Sequence, residues 1–412
     1  MQFIAHIRSS DHRYQSVEEH LANVASLARR YGEPIGLGAH AELAGLLHDM
    51  GKRTTRFSEY IENAVIHEKI SHKKIDHSTA GAKYLHERFY DGSDLQKLVI
   101  EIVGMAILSH HSGLQNFSQL DLQQSDYIKL VVEKDLANYD YGKRNFEKNK
   151  DILFQVEQLV HDATIELKNF LHKIQSLGHA NLYVSYLQKL ILSILLDADR
   201  TDTRRFEEND QSLLEDMYSF ENDYKNLMKT VRHFEKSAKP INVLRSKMST
   251  SCDVKAEEAS GIYTLSVPTG GGKTYASLRY ALKHACLFDK KRIIYVVPYT
   301  TILEQNAEAV RNIIGNNEIV LEHHANVVDD YDSNEDYYDH PVHKKMQLAR
   351  ENWDYPIIFT TVVQFLDAFF QKGTRKTRRL HHLTNAIIIF DEVQSVPYRH
   401  FALFNTAVNF LH

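Results

Sequence analysis

The residues best placed to do chemistry begin with His48-Asp49, within Leu46-Leu47-His48-Asp49-Met50-Gly51-Lys52. The pair closes an alanine- and leucine-rich run, Glu42 to Leu47, that reads as a buried helix. Imidazole and carboxylate are the usual ligands of a catalytic divalent metal, with bonds of roughly 2.0–2.2 Å. Neighbouring side chains on a helix point in different directions, so Asp49 could bridge to a second ion. Alone, the dipeptide recurs often by chance and reads more readily as a solvated pair. Further His and Asp residues at apolar positions shift the balance, and 14 of the 24 histidines precede residue 200, so the search belongs there.

His20 lies on the apolar face of a helix spanning Val17 to Tyr31, with Val17, Leu21 and Val24, and reads either as a core histidine or as a ligand. Asp76-His77-Ser78-Thr79-Ala80-Gly81 opens another helix to about Phe89, with Ser78 or Thr79 as N-cap, which places His77 at a helix start facing a cleft or water. The apolar helix Ile100 to Leu108 ends in Ser109-His110-His111, and two histidines at a buried helix end are hard to read as surface residues. Asp199 shares the apolar face of Tyr183 to Leu196, where an unpaired carboxylate is costly and calls for a metal or an arginine. Asp197 competes for that role and Asp202 looks exposed. Lys52, one turn after His48, could donate to a phosphate or simply complement the helix dipole. His67, His72 and His86 sit among charges and read as surface residues.

A second constellation follows residue 260. Tyr263 to Val267 reads as a short buried strand, then Pro268-Thr269-Gly270-Gly271-Gly272-Lys273-Thr274, then a helix from Tyr275 to Cys286. Strand, glycine loop and helix form a phosphate cradle in which backbone N–H groups converge on phosphate oxygens. Lys273 would reach the terminal phosphates and Thr274 would hold Mg²⁺. The general pattern wants a glycine where Val267 stands; Pro-Thr-Gly-x-Gly-Lys-Thr is the helicase form. Further buried strands are expected at Arg292–Val297, Ile357–Phe359 and Ala386–Phe390, the last ending in Asp391-Glu392. There Asp391 would hold Mg²⁺ and Glu392 would activate water. Thr300, Thr301, Thr360 and Thr361 at strand ends suit sugar-phosphate contacts or plain helix N-caps.

The elements positioning these groups imply an all-α domain followed by an α/β domain with a parallel sheet, since no strand pattern precedes about residue 260. The expected organisation is a metal-dependent domain over 1–215, a helical linker over 216–245 and a nucleotide-binding domain over 246–412, with a loop-rich insert from about Ser118 to Lys150. Charged residues at 25% and hydrophobic ones at 43% describe an ordinary soluble chain, and a net charge of −5 excludes a global basic field for nucleic acid. Two cysteines exclude a disulfide framework and fit a reducing cytoplasm. No run of 18 apolar residues occurs, so no membrane span is expected. The expectation is a cytosolic, metal-using enzyme.

Taken together, the motif order and the stretches PTGGGKT, VVPYTTILEQN and IIIFDEVQSVP resemble the signature nuclease-helicase of type I CRISPR systems, an HD nuclease fused to a superfamily 2 helicase, most like subtype C. The resemblance spans essentially the whole chain. It implies one metal on His20, His48, Asp49 and Asp199, with Asp49 bridging to a second on His77, His110 and His111. Those ions, drawn from Mn, Fe, Ni or Co, would clamp and cleave single-stranded DNA fed by the ATP- and Mg-dependent motor. It also implies recruitment by a guide-RNA surveillance complex. The family carries a second RecA-like lobe with an arginine finger, whereas this sequence stops at His412. The resemblance therefore implies weak nucleotide binding and no translocation by this polypeptide alone. Two other readings are a phosphohydrolase of small nucleotides and a non-catalytic protein that only docks on the surveillance complex.

Overall fold

The computed structural model describes residues 3–67, 75–114, 126–210, 218–235, 239–268, 270–324 and 352–412. The chain forms two units: Met1–Leu213 with Gln371–His381, and Leu214–Phe370 with His382–His412.

The first unit is helical, as the apolar periodicity requires. Helix α1 (Val17–Gly32) buries Val17, His20, Leu21, Val24 and Ala28, and its N-cap Ser16 accepts from Glu19 N–H. Such a cap contributes about 1 kcal/mol. Helix α2 (Gly38–Leu47) is buried along all ten residues, which its alanines, glycines and leucines permit. Helices α3 (Thr55–Val65), α4 (Thr79–Phe89) and α5 (Asp94–Ser109) follow, then two long helices, Lys150–Ile174 and Ala180–Glu207. Helix α2 packs on α1, α5 and both long helices, so the chain segment bearing His48-Asp49 lies at the centre of the unit.

Two features depart from the expectation of a purely helical first domain with a loop-rich insert. A two-stranded antiparallel ribbon, β1 (Ile4–Ile7) and β2 (Tyr14–Ser16), precedes α1. Its strands are four and three residues long, too short to reveal alternation. Within the expected insert, 118–125 lie outside the described residues, and the remainder is mostly helical, including Asp126–Ile128, a π-turn at Lys129–Glu133 and Tyr139–Glu147. Fully buried Tyr127, Val131 and Phe146 anchor it despite its polar composition.

The first unit is completed by a strap, Gln371–His381, contributed from far along the chain. Arg378 donates to Asp197 Oδ1 through Nε (3.1 Å) and Nη2 (2.6 Å). Lys189 donates to the Gln371 carbonyl and Arg200 to Thr374 Oγ1, both at 2.8 Å.

The second unit is α/β. Its sheet contains β3 (Arg292–Val297), β4 (Val320–His323), β5 (Ile357–Thr361) and β6 (Ala386–Phe390), all parallel, in the order β4-β5-β3-β6. Three of these match the expected apolar runs; β4, only four residues long, was not anticipated. Leu278, Leu282, Leu303 and Ala307 from flanking helices pack with Ile293, Tyr295, Ile357 and Phe359. The expected linker is no linker. Phe220, Leu227 and Val231, from just before and within the Glu221–Glu235 helix, join this core, because they fall on one helical face beneath many charges. The expected strand Tyr263–Val267 has no regular secondary structure and lies outside the sheet, with Ile262, Tyr263 and Leu265 exposed. Composition favoured a strand there, but among the described residues no neighbouring strand supplies the ladder.

Candidate functional site

The end of α2 and the 3-10 turn Met50–Lys52 carry His48, Asp49 and Lys52, all buried. His20 arrives from α1, His77 from the loop before α4, His110 and His111 from the end of α5, and Asp199 from the Ala180–Glu207 helix. Two glycines allow the close approach. A Cβ at Gly51 would lie 2.4 Å from the His77 carbonyl oxygen, and one at Gly81 2.0 Å from that of Leu47. Only glycine lets the His77 loop press against the His48-Asp49 turn. Asp76, rather than Ser78 or Thr79, caps α4 by accepting from Thr79 N–H at 3.2 Å.

Asp49 divides its carboxylate between two groups. Its Oδ2 lies 3.5 Å from His20 Nε2 and 3.4 Å from His48 Nε2, and both nitrogens face Asp199 Oδ1 at 3.5 and 3.6 Å. Its Oδ1 lies 3.6 Å from His77 Nε2 and 3.5 Å from His110 Nε2, while His77 Nε2 and His111 Nε2 are 2.8 Å apart. Four rings are locked from behind through Nδ1. His48 donates to Gly45 O (2.9 Å), His77 to Ile75 O (3.0 Å), His110 to Ile107 O (2.6 Å) and His20 to Asp202 Oδ2 (2.7 Å). Each Nε2 therefore faces inward.

This donor set fits divalent cations. Donors bound at roughly 2.0–2.2 Å in neighbouring positions lie about 3 Å apart, close to the spacings seen. His20 and His48 bring their Nε2 atoms to 3.3 Å, a contact that requires a proton or a cation between them. Asp49 Oδ1 and His110 Nε2 are buried without a hydrogen-bond partner, which is costly unless a cation serves them.

The electrostatics carry the same signature. Burial opposes a charge on His20, yet hydrogen bonds to Asp199, Asp202 and Asp49 raise its pKa to about 10. Burial likewise opposes a charge on His48, and the nearby Asp49 and Asp199 carboxylates raise it to about 9. Burial works against ionising Asp49, but Lys52 and His48 hold its carboxyl well below the usual range. In the other group, burial and His110 push His111 down to about 3, and burial lowers His77, so both are neutral donors. Lys52 Nζ lies 2.7 Å from Asp49 Oδ2.

Sequence reasoning missed several groups here. Asp202 is only 4% exposed, not at the surface as expected: its Oδ2 also accepts from Gln15 (2.9 Å) and its Oδ1 from Asn23 (2.9 Å). Asp197 pairs with Arg378 rather than joining the cluster. His6 on β1 stacks edge-on to His20 at 4.7 Å, kept neutral by burial and the Lys52 charge; a three-residue ribbon partner gave no signal for it. His67 is exposed, as expected, and His72 lies outside the described residues.

In the second unit the glycine loop leads into the Lys273–Phe288 helix, with Gly270 and Gly272 at φ of 79° and 86°. Gly271 lies between them, and Thr269 lies outside the described residues. Lys273 Nζ donates to Glu392 Oε1 at 2.7 Å, and Thr274 Oγ1 to Asn306 at 3.3 Å. Asp391 follows β6 and is held by its N–H to Val296 O. The hydrogen bond to Glu392 raises the Lys273 pKa and lowers that of Glu392. Thr360 is fully buried with its hydroxyl on His323 O, so it contacts no ligand; Thr361 accepts from Gln364 N–H as a helix cap, and Thr301 is exposed. Among the described residues no helix is long and apolar enough to cross a membrane.

Two known families match separate parts of the chain. The HD domain family matches residues 17–137 and the DEAD/DEAH box helicase family residues 254–403. A CRISPR-associated nuclease/helicase Cas3 of Haloferax volcanii is 26% identical over 154 residues, covering 33% of this chain and 16% of that protein. The structure of T. fusca Cas3 with ADP covers the whole chain at a TM-score of 0.58 and 16% identity, and that with AMPPNP at 0.55. The chain spans about half the length of these solved proteins, at 49% and 48%.

Proposed function

We propose that the chain is a Cas3-type HD–helicase, which its HD and DEAD/DEAH matches and its likeness to Cas3 proteins support, and that its helical unit hydrolyses phosphodiester bonds of single-stranded DNA on two divalent metals. The observation carrying this reading is the division of Asp49 between His20, His48 and Asp199 on one side and His77 and His110 on the other. His20, His48, Asp49 and Asp199 would hold one ion; Asp49, His77, His110 and His111 the other. Mn, Fe, Ni or Co suits this imidazole-rich set. When bound, such ions neutralise phosphate oxygens and supply a hydroxide at neutral pH.

The chain's own residues prepare the rest. Nδ1 hydrogen bonds hold the imidazoles in the tautomer that presents Nε2. Lys52 neutralises Asp49 before an ion arrives. Once released, it donates to a non-bridging phosphate oxygen. His6 borders Lys52 at 3.5 Å and keeps that ammonium near the centre.

The α/β unit binds ATP with Mg²⁺: Gly270, Gly271, Gly272 and Lys273 take the phosphates, Thr274 and Asp391 the cation, and Glu392 orients water. Thr269 belongs to the same loop. In this reading ATP-driven unwinding by a complete protein with two RecA-like lobes supplies strand to the HD unit, and a type I guide-RNA surveillance complex recruits the protein in antiviral defence.

The test is cleavage of single-stranded DNA by EDTA-stripped protein reloaded with Mn²⁺ or Co²⁺, against a panel of small nucleotides. Asp49→Ala should lose several kcal/mol of transition-state stabilisation, roughly 10³-fold or more in rate. Full activity in Asp49→Ala, or preference for nucleotides over DNA, refutes the reading.

A further inference from the structure

His20 differs from the other locked histidines in what stands behind it. His48, His77 and His110 donate Nδ1–H to backbone carbonyls, whereas His20 donates to a buried carboxylate, Asp202. Asp202 lies one turn beyond Asp199 on the Ala180–Glu207 helix, so one rigid element presents an inner carboxylate and an outer one. Gln15 from β2 and Asn23 from α1 fix that outer carboxylate with one hydrogen bond each, at 2.9 Å. The network ties three segments to the orientation of one imidazole.

We propose that Asp202 is a positioning residue that fixes the tautomer and raises the donor strength of His20, so that the half of the centre built from His20, His48 and Asp199 loads its ion first and more tightly. The inference rests on the two-metal reading above. A carboxylate behind an imidazole makes its far nitrogen a stronger ligand than a carbonyl does, and such outer partners change metal affinity by about 10–100-fold. The first half also faces two carboxylates, Asp49 and Asp199. The second half shares only Asp49 among three histidines. Both differences act in the same direction.

The experiment is a calorimetric titration of Mn²⁺ into the EDTA-stripped full chain, for wild type, Asp202→Asn and Asp202→Ala. Melting temperatures in EDTA are measured alongside. Wild type should bind two equivalents with separated constants. In Asp202→Asn, which keeps an acceptor for Nδ1–H but loses the charge, the tighter constant should weaken by about 10-fold and the weaker one stay fixed. Asp202→Ala should weaken the tighter constant by about 100-fold. Unchanged constants, or equal weakening of both together with a lower melting temperature in EDTA, overturn the proposal. Wild type binding no Mn²⁺ overturns the two-metal reading itself. Should Asp202→Ala fail to fold, ¹⁵N chemical shifts of His20 in the wild type decide: a proton on Nδ1 in the metal-loaded protein supports the assignment, and one on Nε2 overturns it.

Discussion

Two ion pairs of nearly equal length behave as opposites in this molecule. Arg378 and Asp197, in the helical unit, meet at 2.6 Å with side chains 6% and 3% exposed. Lys273 and Glu392, in the α/β unit, meet at 2.7 Å with side chains 30% and 35% exposed. The first pair is sealed from water, with the His381 imidazole 3.3 Å from the other Asp197 oxygen, so its charges are held by protein groups and not by solvent. The second is open, and a phosphate can replace Glu392 at Lys273 without burying a bare charge. Burial, not distance, separates a structural pair from one poised to exchange partners.

The largest effect should come from breaking the buried pair. Arg378→Ala removes the guanidinium from buried Asp197 and leaves the His381 imidazole at 3.3 Å beside it, which costs up to about 3–5 kcal/mol. Urea unfolding of the helical unit should show this, and adding Asp197→Leu should recover much of it. A loss below 1 kcal/mol would put Arg378–Asp197 in the same class as the open pair.

pH sharpens the comparison next. In the metal-free protein the pKa values of His20 and His48 stand at about 10 and 9. Both exceed the ordinary 6.5, so their protonated forms stabilise the apo fold fully below that pH. The contribution disappears as pH rises through about 9 to 10. In EDTA, therefore, the melting temperature of the helical unit should fall from pH 7 to 10. Metal must displace the same protons, so Mn²⁺ affinity should rise over that range by up to about tenfold per pH unit for each proton released. A flat apo profile would show that these histidines carry no proton.

Smaller still is the effect of opening the exposed pair. Lys273→Ala should weaken binding of a fluorescent ATP analogue by roughly tenfold, in line with loss of one charge-assisted contact. Its melting temperature should match wild type. A large loss of stability would remove the contrast between the two pairs. At the bottom of the scale, exposed His67→Ala should change neither metal stoichiometry nor stability.

Much of this architecture was legible where a chemical residue interrupted a clear apolar pattern. His48-Asp49 ends a buried run, Asp199 shares a face with Leu195 and Leu196, and Asp391-Glu392 follows an all-apolar strand. Asp202 was illegible because it follows Arg200 and Thr201 in a polar stretch, and Gln15, His20 and Asn23, which bury it, lie more than 170 residues earlier. The Glu221–Glu235 helix was mistaken for a linker because its charges hide a single apolar face. Tyr263–Val267 shows the reverse failure: β-favouring residues state a preference, but a ladder needs a second strand beside them. The strap was invisible for a related reason, since Arg378 sits in a basic run that reads as solvated.

Because Asp197 meets Arg378 at 2.6 Å and His381 Nε2 at 3.3 Å, both from the strap, the helical unit cannot be finished by the amino-terminal half of the chain. At about 5–20 residues per second, the roughly 160 residues between Leu213 and Gln371 occupy the ribosome for about 8–30 s. During that interval the helix carrying Asp199 holds an unneutralised carboxylate two residues away. Nascent chains arrested before residue 371 should be cut by protease within Ala180–Glu207, and chains extended well past 381 should resist. The histidine–aspartate centre of the helical unit therefore reaches its final packing only after residues that lie within the α/β half of the sequence have been translated.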